Sequence, residues 1–230
     1  MSHGPPGRQS AGTPDTNNKN IVGYLKEDLG FEVDPHAHQT LYNYADVAYL
    51  IDALGMAPSH TAGGMIVGSP ESSILDQFWA PITGEQYPAY TWEAAILWGG
   101  GTANHVNEES LWASDVWKPR GKYHFLEHDD AAPVPNVGHY GSRWENLDRL
   151  LAMQQDGELE AGRIYTCSLF VSQGQLAQSP ALIAEFEEAI EERNARGAIR
   201  WVGLAKLIDI WHAEYGSQPN VLPFQVGPSL

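Results

Sequence analysis

Cysteine is nearly absent from this chain. The one thiol, Cys167, excludes an intrachain disulfide and a thiolate-held metal cluster. Positive charge is also scarce: 13 Lys and Arg stand against 29 Asp and Glu, a formal net charge of -16. Nucleic-acid phosphates and anionic membrane surfaces both require a basic face, so neither is the expected partner. No apolar run reaches the roughly 18 residues that a membrane span needs. The stretch from Met1 to about Lys19 has no apolar core, so it does not read as a secretory signal. A soluble chain is expected, with its compartment open. There is no G-x-S-x-G elbow and no phosphate-binding glycine frame, which argues against a serine hydrolase and a nucleotide site. No fixed-period repeat is present.

What the chain does have is aromatic and apolar mass. Hydrophobic residues make up 43% of its 230 positions, enough for one substantial core. Eight tryptophans and ten tyrosines suit a cleft for a flat or carbohydrate ligand, though they serve equally well in a core. Residues 1–19, rich in Gly, Pro, Ser and Asn, read as a disordered tail. Residues 20–218 read as one α/β hydrolase-like catalytic domain, and 219–230 as a C-terminal tail.

Apolar periodicity predicts helices over Asn20–Leu29, Tyr44–Leu54, Glu71–Trp79, Trp144–Gln155, Ala181–Arg196 and Leu204–Tyr215. Short apolar runs predict strands at Phe31–Asp34, Thr61–Val67, Ala94–Trp98, Leu111–Trp117, Ile164–Val171 and Ile199–Val202. Cys167 falls in the fifth of these and reads as a buried, inert thiol. The acidic run of the fifth helix reads as a solvated face. Strands and helices alternate at both ends of the chain, which implies a parallel sheet with helices packed outside it. Between Ala80 and Tyr140 periodicity fades, and a long, irregular, aromatic-rich insertion of binding loops is expected.

The most informative segment is Glu32-Val33-Asp34-Pro35-His36-Ala37-His38. In extended backbone, residues two apart share a side, so His36 and His38 project together and Asp34 joins them. Pro35 removes a ladder donor and places a strand end here. Two imidazoles and a carboxylate at the C-terminal end of a strand suit a divalent ion, zinc above all, with calcium as the alternative.

A second concentration, His124-Phe125-Leu126-Glu127-His128-Asp129-Asp130, is followed by His139. It offers a third ligand or a general base, from Asp129 or His128, and an acid in His139. Its H-x-x-E-H spacing matches an inverted zinc-protease motif, but Gly121, Pro133 and Pro135 leave too little room for the helix that motif needs. After the triple glycine, His105 and Glu108 are candidates for substrate contact. Trp112 and Trp117, with Trp92 and Trp98, are candidates for stacking on sugar rings. His60 and His212 read as structural.

The run from Gly30 to His38, with the following helix and the next strand, resembles the second motif of polysaccharide deacetylases, a family of carbohydrate esterases. The closing unit Ile199–Tyr215, with Trp211 near its end, is similar to that family's last barrel unit. The resemblance implies an incomplete or distorted (β/α) barrel, TIM-barrel-like, with His36 and His38 as metal ligands. The family's first strand, which bears paired aspartates, has no counterpart before Phe31. The missing carboxylates must then come from Asp34, Asp129 or Asp130, and an open barrel edge favours a homo-oligomer.

These readings converge on a metal-dependent hydrolase of an ester, lactone or N-acetyl amide bond in a carbohydrate or small molecule. Its metal set is His36, His38 and Asp34. Its catalytic set is Asp129, His128 and His139. Its substrate set is His105, Glu108, Trp112 and Trp117. The alternatives are a non-catalytic carbohydrate- or calcium-binding module and a glycoside hydrolase using paired carboxylates such as Glu108 and Asp129.

Overall fold

The computed structural model describes residues 24–37, 42–63, 75–99, 113–121, 123–138, 144–169 and 181–223. They form a mixed α/β fold around a small, partly parallel sheet. Four of the predicted helices are present in regular form: α1 (Tyr44–Ala53), α2 (Trp144–Gln155), α3 (Leu182–Asn194) and α4 (Leu204–Tyr215). Of the predicted Asn20–Leu29 helix, one wide turn at Tyr24–Asp28 is described, closed by Gly30 at φ 71°. Of Glu71–Trp79, a tight turn at Leu75–Trp79 is described.

The main sheet contains β1 (Thr61–Gly63), β4 (Ile96–Trp98), β6 (Val116–Trp117) and β7 (Asn136–Val137), in the order β1–β4–β7–β6. β1, β4 and β7 run parallel, while β6 is antiparallel to β7. β2 (Ile82–Thr83) and β3 (Thr91–Trp92) make a hairpin beside α1, and β5 (Ala113–Ser114) pairs with β8 (Leu222–Pro223).

The stretch expected to be an irregular insertion therefore supplies three of the four strands of this sheet. Its strands are two or three residues long, too short for alternation to show in sequence. The predicted strand Leu111–Trp117 is broken at Asp115, whose φ of 97° cannot continue a pleat. The predicted strand Ile164–Val171 has no regular ladder over its described part; Thr166 is bonded instead by the side chains of Ser114 and Asp115. Among the described residues the sheet does not close into a barrel.

Both faces of the sheet are covered, as parallel strands require. On one face Ala62 and Leu97 pack with Tyr44, Ala45 and Ala48 of α1 and with Phe78 and Trp92. On the other, Ile96, Val116 and Val137 pack with Ile164 and with Ile208, Ile210 and Trp211 of α4. Each fully enclosed large side chain contributes roughly 1.5–3 kcal/mol of apolar burial.

α1 is fixed by a capping box, in which Asp46 N donates to Asn43 Oδ1 and Asn43 N to Asp46 Oδ2, both at 3.0 Å. The fully buried Asp46 carboxylate also accepts the backbone amides of Glu85, Gln86 and Tyr87 at 2.9–3.1 Å. One side chain thus ties a helix start to the β2–β3 turn. Gly84 makes room for it, since a Cβ there would lie 2.6 Å from Asp46 Oδ1.

Candidate functional site

Parallel strands gather their C-terminal ends on one edge, and ligand sites in such sheets form there. Glycines follow or close each parallel strand: Gly63 ends β1, Gly99 follows β4 at φ 82°, and Gly138 follows β7. The run Val33–His36 lies along the outer side of β1. Val33 O accepts from Ser59 N at 2.9 Å, and Pro35 O from Gly63 N at 3.2 Å. Asp34 and His36 are thereby carried to that edge, although the predicted strand Phe31–Asp34 is not formed as a strand. A Cβ on Gly63 would sit 3.4 Å from Asp34 Cβ and 3.8 Å from Trp98 Cε3, so a glycine keeps this corner open.

The electrostatics of the corner follow from its contacts. His36 Nδ1 is 2.5 Å from the carbonyl oxygen of Gly63. A carbonyl only accepts, so Nδ1 carries the proton and Nε2 is the basic nitrogen of the neutral ring. Ser59 Oγ donates to Asp34 Oδ1. Burial pushes the Asp34 carboxyl above its ordinary pKa, and the Ser59 bond only partly offsets this. Glu32 is also raised, first by burial and then by the nearby Asp34, while the amide of Ala205 acts in the opposite sense. That amide, in the first turn of α4, lies 3.2 and 3.3 Å from the two carboxylate oxygens of Glu32.

One imidazole nitrogen and one carboxylate at a strand end fit part of a zinc donor set. His38 lies outside the described residues, and among those described no three His, Cys, Asp or Glu side chains come together as a metal group.

The second histidine cluster is engaged within its own turn. Lys118 N donates to His128 Nδ1 at 3.0 Å, so the neutral ring carries its proton on Nε2, which bonds Asp130 at 2.9 Å. Asp129 Oδ1 accepts from Ala131 N at 2.9 Å. His124 and Arg120 both bond the exposed Glu127, whose pKa they lower, the His124 bond more than the Arg120 bond. Trp117 is fully buried, with Nε1 donating to Phe125 O at 2.6 Å. An enclosed indole has no face for a sugar ring, and Trp117 is a core residue instead. Trp92 is likewise buried, while Trp98 is partly so. His105, Glu108, Trp112 and His139 lie outside the described residues.

Sequence reasoning missed Asp115. It lies at the same edge, its carbonyl accepting from Gly138 N at 2.8 Å just beyond β7. The residue is fully buried, and burial pushes its carboxyl up to about 7 against the hydrogen bonds of Ser114, Thr166 and Leu222, which favour ionisation. Ser114 Oγ lies 2.6 Å from both Asp115 Oδ1 and Thr166 O, and accepts from Thr166 N at 2.9 Å. One hydroxyl proton serves one acceptor at a time. A protonated Asp115 can donate to Ser114 and so release the Ser114 proton to Thr166, which gives both acceptors of that hydroxyl a proton. A carboxylate in the middle of the apolar run Leu111–Trp117 was the available signal.

Comparison of the chain with protein-family models, curated proteins and solved structures gives no match. No helix among the described residues is long and apolar enough to cross a membrane.

Proposed function

We propose that the chain is a metal-dependent hydrolase of ester, lactone or N-acetyl amide bonds, similar to the polysaccharide deacetylases, with a carbohydrate or small molecule as substrate. One observation carries the reading. Asp34 and His36 share the C-terminal edge of the parallel sheet, and the Gly63 carbonyl holds His36 in the tautomer whose Nε2 is the ligating nitrogen. His36, His38 and Asp34 would hold the ion, zinc by the mixture of imidazole and carboxylate donors.

Zinc, when bound, polarises a carbonyl and activates water near neutral pH. The chain's own residues do the rest. Ser59 orients Asp34, and Gly63 orients His36. Glu32 lies two residues from Asp34 on the same side of extended backbone, with a raised pKa suited to taking a proton from water. His139, two residues past β7 in the sequence, would protonate the departing group. Asp129 and His128 are bonded to Ala131, and to Lys118 and Asp130, in the turn that follows β6.

An incomplete (β/α) barrel is consistent with the contacts at the edge. Residues 33–36 adjoin β1, and Glu32 reaches Ala205 in the first turn of α4, although the predicted strands Phe31–Asp34 and Ile199–Val202 are not formed as strands.

The test is elemental analysis of the purified chain after zinc loading, beside hydrolysis of p-nitrophenyl acetate and an N-acetylglucosamine oligomer. Zinc retention and turnover that both fall in His36→Ala and His38→Ala support the reading. A chain that retains no divalent ion, or variants that match the parent in both assays, overturn it.

A further inference from the structure

We propose a second ligand site, for a small anionic amphiphile, in the cleft between α2, α4 and the extended runs 163–167 and 198–202. The ligand class is an aliphatic or aryl carboxylate. Its apolar body lies in the cleft and its head group meets Arg163 and Arg200.

Three observations support this. The cleft encloses about 420 Å³, within the range of small-molecule sites. Its floor is apolar: Leu151, Ile164 and Ile210 are buried there, and Trp201 stands half-exposed among the lining residues. Its charged lining side chains are basic, each paired with a carboxylate that does not line the cleft. The protein carries 29 acidic and 13 basic residues, yet the charged side chains among the described lining residues are Arg163 and Arg200, with no carboxylate. In an acidic molecule such a cleft favours an anion over a cation.

Each guanidinium is oriented by a carboxylate outside the cleft. Arg200 donates to Glu214 twice at 2.7 Å, and Arg163 donates from Nε to Glu160 and from Nη1 to Gln218 and to the Pro219 carbonyl, each at 3.2 Å. Exposed pairs of this kind contribute little, and each guanidinium has five N–H donors, so a ligand carboxylate can join or replace them. Asp34 and His36 do not line the cleft, and the proposal stands apart from the hydrolase reading.

Calorimetric titration of the full chain with sodium octanoate, and separately with 1-octanol, tests it, with the tryptophan emission change that is lost in Trp201→Phe as a second readout. Octanoate should bind saturably, about 10-fold tighter than octanol. Arg200→Gln should reduce that preference, and Arg163→Gln/Arg200→Gln should abolish it. Ala198→Trp, at the exposed rim, should weaken both ligands while circular dichroism stays unchanged. Absence of saturable octanoate binding overturns the proposal. So does octanol binding as tightly as octanoate, or variants that bind both ligands like the parent.

Discussion

Replacing Asp115 with asparagine should change how stability depends on pH. In the folded chain the Asp115 carboxyl is pushed from 3.8 up to about 7. Between those values the folded state binds more protons than the unfolded state, so stability falls as pH rises. The contribution is fully present below the unfolded pKa and is lost as pH passes through the folded one. Linkage with these two pKa values gives a loss of about 2–3 kcal/mol between pH 5 and pH 8 from this one group. Asparagine has no such titration, tolerates positive φ about as aspartate does, and its carbonyl can still accept from Ser114 and Thr166. Its amide would occupy the position of Oδ2, which is buried without a partner, a cost that is the same at both pH values and cancels in the comparison. Urea unfolding followed by tryptophan fluorescence, for parent and Asp115→Asn at pH 5 and 8, measures the effect. The variant should gain about 2–3 kcal/mol on the parent between the two pH values. Parallel stability curves, with a constant difference across that range, would refute the argument that Asp115 is neutral when folded. Glu32 and Asp34, also raised, leave a smaller slope of the same sign in both proteins.

Asp46→Ala should cost about 2–3 kcal/mol in urea unfolding, because it removes the shared acceptor of four part-buried amide donors at α1 and the β2–β3 turn. Gly84→Ala should cost about 1–3 kcal/mol by the same assay, since its methyl would meet Asp46 Oδ1 and the Tyr87 carbonyl at 2.6 and 2.7 Å. Trp117→Ala should lower stability by about 3–5 kcal/mol in urea unfolding, as loss of a core indole does. His128→Asn should leave zinc content unchanged, because that ring bonds within its own turn; a fall in zinc on elemental analysis would restore it as a ligand.

The helices were legible because each presents a long apolar stripe. The bounds of α2 and α4 match the periodicity, and the Asn43–Asp46 box marks where α1 starts. The sheet was legible at β1 and β4, and at β6 as part of the predicted run Leu111–Trp117, but not at β7. β7 has two residues and carries no period, and the break at Asp115 that separates β6 from β5 arises from partners distant in sequence. Asp34 and His36 were readable because alternation and Pro35 are local signals. Asp115 was hidden for the opposite reason. Its burial and its left-handed φ arise from Gly138, Thr166 and the chain near Leu222, none adjacent to it in sequence. His128 and Asp129 stood out by composition, which does not show that Lys118, Asp130 and Ala131 bond them.

The central claim is that His36 and its neighbours hold one divalent ion at the C-terminal edge of the sheet. Zinc stoichiometry by elemental analysis, after loading and exhaustive dialysis, tests it most directly in the parent and in His36→Ala. The account predicts about one zinc per parent chain and a loss of most of it in the variant. A parent that dialyses to no zinc, or a variant that keeps as much as the parent, would contradict it.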